Sequence, residues 1–124
     1  MLLNLIEEIG IKAALDSYRE ANKEIDLSYA DFSEENLEGI DFSNANLTHA
    51  LFINADLENA NLHNANLTHA CMTAARLIRA NLTGANLQNT RLNGSDLRGA
   101  NLTGANLEYT NLTESILYLT QGIP

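Results

Sequence analysis

The chain has 124 residues and a mass of 13.6 kDa, with sixteen acidic against seven basic residues and a formal net charge of −9. That sign argues against binding nucleic acid through its phosphates, and the single cysteine, Cys71, rules out an intrachain disulfide and suits a reducing cytoplasm. No apolar run is long enough to span a bilayer, and Glu7 and Glu8 interrupt the N-terminal stretch where a leader would be apolar, so a cytoplasmic chain with no membrane partner is expected.

Residues 1–24 have a helical pattern with two apolar stripes. Leu2, Leu5, Ile6 and Ile9 form one; Ile11, Ala14, Leu15, Tyr18 and Ala21 form the other, about half a turn round the same helix. Either the helix breaks near Gly10 and both stripes cover the neighbouring part of the chain, or it continues and the first stripe faces elsewhere. The expected role is a cap over the open end of a solenoid.

Residues 25–119 are an array of five-residue units, nineteen in all. Every fifth residue from Leu27 to Leu117 is Leu, Phe or Met; two before it stands Ala, Ser or Thr in most units, and one before it Asn or Asp in most. On an α-helix, steps of five scatter such residues round the cylinder. In a straight strand they fall alternately on opposite faces. The chain must therefore turn a corner in each unit. Longer matches recur every twenty residues: ANLTHA at 45–50 and 65–70, ANLTGANL at 80–87 and 100–107. That spacing gives four units per coil, and a repeated coil keeps such a solenoid in phase. Residues 120–124 are a short tail with no capping segment.

These units resemble the pentapeptide-repeat family, written A(D/N)LXX. The resemblance implies an all-β solenoid, a right-handed quadrilateral β-helix of just under five coils, here with a short α-helical N-terminal cap. It implies that the central residue and the one two before it point inward and the other three outward. In that frame Glu35 breaks the pattern, because the matching positions above it are Ala55, Ala75, Ser95 and Ser115. It is expected either to escape to the edge or to pair with Lys12, Arg19 or Lys23. Asp56, Arg76 and Asp96 share one outward column, so Arg76 is expected between two carboxylates.

Candidate chemistry is sparse. His49 and His69 stack in successive coils, but their column otherwise reads Tyr29, Asn89 and Tyr109, too few ligands for zinc, so no metal or cofactor is expected. Cys71 lies two residues from His69, yet nothing orients the pair as a nucleophile and base, and an accessible surface thiol is the expected state. No enzyme is expected. The outward apolar residues Leu51, Ile53, Cys71 and Ile78 are the candidate protein-contact surface.

These features favour a non-catalytic protein-binding or scaffold module, resembling the short acidic members with N-terminal helices found in cyanobacteria. The alternative implied by the resemblance is an acidic DNA mimic that binds a type II topoisomerase such as gyrase. A homodimer through the C-terminal end, as gyrase-protecting members form, is the expected self-association if any occurs.

Overall fold

The structure, a computed structural model, describes residues 1–124. Two helices come first, α1 (Leu2–Ile9) and α2 (Ile11–Glu20). Gly10 divides them at φ 88° and ψ 158°, so the N-terminal segment breaks there; at that φ a side chain would be strained. The break lets both apolar stripes turn onto the same target. Leu2, Ala14 and Leu15 are buried in the cluster that forms the solenoid core, and Leu5, Ile6, Ile11 and Tyr18 pack against it. At the other end of α2, Arg19 Nη2 donates to the Ser43 carbonyl at 3.1 Å and lies 3.6 Å from Asp41. No helix is long and apolar enough to cross a membrane.

From residue 26 the chain coils on itself. Sixteen parallel bridges, from Asp26↔Asn46 to Asn101↔Gln121, all join residues twenty apart. Four pentapeptides therefore make one turn. We call the sides one to four, beginning with residues 25–29, 30–34, 35–39 and 40–44. Each unit contributes one bridged residue, so the pairing never lengthens into an extended strand.

The five N–H groups of a unit are accounted for one by one, and the consensus is explained by where they go. The N–H before the centre donates back to the previous coil, as Asn46 does to Ile25, while those of the centre and of the second residue after it donate to the next coil. The small residue donates across the corner to the preceding centre, as Ala30 does to Leu27. The remaining N–H, just after the centre, is taken by the Asn or Asp side chain two residues back, at 3.0 Å for Ser33 on Asp31 and 3.1 Å for Thr48 on Asn46. That local bond is why Asn and Asp dominate the position. The second residue after the centre lies in the left-handed region in every unit, from Tyr29 (φ 63°) to Leu119 (φ 59°).

Inside, the centres from Leu27 to Leu102 are all buried, and the small residues between them let the chain close toward the axis. Phe32, Phe42 and Phe52 form one aromatic group, with centroids 5.4 to 6.1 Å apart. Glu35 takes the edge: Ala55, Ala75 and Ser95 are buried in its column, whereas Glu35 is exposed and makes no ion pair, Arg19 having turned to Asp41. Burial fades in the last coil, where Leu107 and Leu112 are half-buried and Leu117 is 36% exposed. Gly122 holds the next central slot; a Cβ there would stand 2.5 Å from the Leu102 carbonyl carbon, so only glycine lets the chain lie against that backbone.

Candidate functional site: the third side

Of the four outward apolar residues, the structure keeps Leu51 and Cys71 as bridged neighbours on side two, with Ile53 exposed beside them. Cys71 is corrected: it is 4% exposed, not an accessible thiol. Its side chain stands between the Leu51 and Arg91 positions of adjacent coils, with Sγ 3.4 Å from Thr73 Oγ1, and a column spaced by one coil leaves a small residue little free surface. On side one, Tyr29, His49 and His69 stack as rings, at centroid distances of 4.7 and 4.9 Å.

Ile78 stands on the next side, as the order of units requires. It lines a shallow cleft of about 440 Å3 on side three with Tyr118 and Leu119, flanked by Arg79, Arg98 and Glu58. Tyr118 is 70% exposed and Leu119 69%, and Ile116 beside them is exposed as well. Periodicity draws the eye to Leu117, the centre of this unit, and past its neighbours. The available signal was the unit itself, SILYL at 115–119, the one unit in which all three outward positions are large and apolar.

The same side carries all the ion pairs beyond the first coil. Arg76 Nη1 lies 3.0 Å from Asp56, and its Nη2 lies 3.1 Å from Glu58. Arg79 also reaches Glu58, and Arg98 lies 2.6 Å from Asp96. Arg76 is thus bracketed by Asp56 and Asp96 through backbone bridges, as its column requires, but its second carboxylate is Glu58, because Arg98 occupies Asp96. Exposed pairs of this kind contribute about 0.2–1 kcal/mol each. Their larger effect is to fix long side chains on one face.

Hydrogen bonds hold several carboxylates below their ordinary range. For Asp96 the main cause is the Arg98 guanidinium, opposed by slight burial; for Asp26 it is the Ser28 hydroxyl; for Asp31 it is the Ser33 backbone N–H. A carboxyl whose folded value lies below its unfolded value of about 3.9 adds stability above that pH and loses it as pH falls through the folded value. The melting temperature should therefore show no loss from these groups between pH 7 and 5 and fall below about pH 4. Asp96→Asn should flatten part of that acid limb; an unchanged limb would remove Asp96 from the account.

The sequence pattern of the family described as Pentapeptide repeats matches in eight copies, over residues 23–50, 40–84 and 80–117. The chain belongs to the pentapeptide-repeat family. Its solenoid is accordingly a right-handed β-helix. Among solved structures it is similar to alr5209, a pentapeptide-repeat protein from Nostoc PCC 7120, at 31% identity and TM-score 0.63, covering 71% of this chain and 72% of that one. Rfr23 from the cyanobacterium Cyanothece 51142 matches at 32% identity and TM-score 0.49, over 81% and 86% of the two chains. QnrB1, a plasmid-mediated fluoroquinolone resistance protein, matches at 26% identity and TM-score 0.61, over 77% of this chain and 52% of that one. No curated protein matches by sequence. Pentapeptide-repeat proteins are in general non-catalytic repeat scaffolds.

Proposed function

We propose that this chain is a non-catalytic protein-binding or scaffold module of the cytoplasm, with side three as its contact face. The observation that carries the reading is the coincidence, on one face, of the arginine–carboxylate network with the half-buried Ile78 and the exposed Tyr118 and Leu119. Aromatic and aliphatic anchors ringed by arginines are the composition of protein interfaces. Leu51 and Ile53 extend the surface onto the adjoining side, with the buried Cys71 next to Leu51 in the following coil. A lone, buried thiol suits a reducing compartment. The C-terminal end of the solenoid is the surface we assign to homodimerisation.

The test is capture from an extract of the source organism with the intact chain and with the double variant Ile78→Asp, Tyr118→Asp. Both residues face outward, so circular dichroism should be unchanged. A protein retained by the first and lost by the second is the expected result. Equal retention by both removes side three, and retention of nothing removes the binding reading.

The second reading, an acidic mimic of DNA bound by a type II topoisomerase such as gyrase, draws on the net charge of −9 and the likeness to QnrB1. Against it, Asp56, Glu58 and Asp96 are held by arginines, so no uninterrupted acidic face runs along side three. In a gyrase supercoiling assay with excess protein we expect no inhibition, and clear inhibition would reverse the ranking.

A further inference from the structure

The helices close only part of the open N-terminal end. Between α1 and sides two and three of the first coil lies a groove of about 610 Å3. Its apolar wall includes Leu3, Ile6, Ile11 and Phe32, of which Leu3 is 43% exposed. Its charged residues are Glu7, Asp31 and Glu35, and no lysine or arginine lines it. Glu35 is the residue that departs from the small-residue pattern of its column, and its exposed carboxylate has no cationic partner.

The backbone beside the groove is equally one-sided. No coil precedes the first, so the carbonyls of Asp31, Ser33, Asn36 and Glu38 accept no backbone hydrogen bond. Apolar wall, carboxylates without a cationic partner and free carbonyls together ask for a ligand that is apolar in body and rich in donors. We propose that this groove binds a basic, apolar peptide segment of a partner protein, one that sets leucine-like side chains against Ile6 and Phe32 and a lysine or arginine against Glu35. A second copy of this chain is a poor occupant, because its open end carries Glu108 and Glu114 and no basic residue comes after Arg98. The groove lies at the opposite end of the solenoid from Tyr118, so it and the contact face on side three stand or fall separately.

The probe is a fluorescein-labelled hexapeptide alternating leucine and lysine, with leucine–glutamate and serine–lysine hexapeptides as controls, titrated with the full chain by fluorescence anisotropy. Amide shifts of the 15N-labelled chain locate the contact. The leucine–lysine peptide should bind and weaken with added salt, its shifts should centre on Ile6, Phe32 and Glu35, and Glu35→Lys should weaken it at least tenfold. Leu3→Ser should weaken it while leaving the salt dependence in place. No binding, equal binding of the leucine–glutamate peptide, shifts on another side, or an unchanged affinity in Glu35→Lys each overturns the proposal. So does concentration-dependent shifting of the same amides without peptide, which would make a second copy the occupant.

Discussion

Phe52→Ala should lower the unfolding free energy by about 3–5 kcal/mol, as deep phenylalanine truncations do. Phe52 is fully buried, stacked 5.4 Å from Phe32 and tilted against Phe42 at 6.1 Å, so its removal opens a cavity walled by two other rings. Bridges tie the coil holding Phe52 to the coils before and after it, Asp31↔Leu51↔Cys71 among them, and the walls have little freedom to collapse into the space. In a solenoid the loss also weakens nearest-neighbour stacking on both sides. Leu112→Ala is the contrast: Leu112 is already half-buried in the last coil, and its loss should cost roughly 1 kcal/mol or less. Denaturant midpoints of the two variants, at unchanged m-value, measure the difference; equal costs would mean that the core does not tighten away from its open end.

Deleting residues 1–20 should convert the chain into an open-ended polymer. The two ends of the β-helix carry opposite backbone demands. In the last coil the N–H groups of Leu112, Glu114, Leu117 and Leu119 have no following coil to donate to, and in the first coil the carbonyls of Asp31, Ser33, Asn36 and Glu38 have no donor. These sets stand in the register that each coil keeps with the next, so a last coil fits a first coil as if the solenoid continued. With α1 and α2 in place Leu2, Ala14 and Leu15 occupy that end, so any association through the last coil would stop at two copies. Without them, head-to-tail contacts do not close. Sedimentation velocity should show the mass of the deletion variant rising steadily with concentration, and more so in salt, which screens Glu108 and Glu114 from the acidic first coil. A deletion variant that remains folded and no larger than the intact chain would show that the helices do something else.

The repeat is legible because its period is incompatible with both regular elements, and the twenty-residue matches disclose the coil without any coordinates. Gly10 is legible as a candidate break, and the structure chooses between the two arrangements it allows. The surface is harder to read. Exposure of Cys71 depends on residues twenty positions away, so an outward direction does not make an accessible side chain. Ile78 stands near Leu51 and Ile53 in the order of units, yet its neighbours across the cleft are Tyr118 and Leu119, forty and forty-one residues on. The column of Arg76 can be read from the repeat but its second partner cannot, because a long guanidinium chooses among several carboxylates within reach and Arg98 competes for one of them.

The uniform twenty-residue bridge spacing sets the increments in which such a chain can change length. An added segment of twenty residues restores every downstream residue to its own side and interrupts only the contacts between the two coils it separates. A segment of five, though it keeps the unit pattern and the buried centre, rotates the whole downstream chain by one side. Inserted after Asn59 it would carry Arg76 and Arg79 round to side four and leave Asp56 and Glu58 facing solvent without a cation. The core tolerates steps of one unit; a patterned face survives only steps of a whole coil.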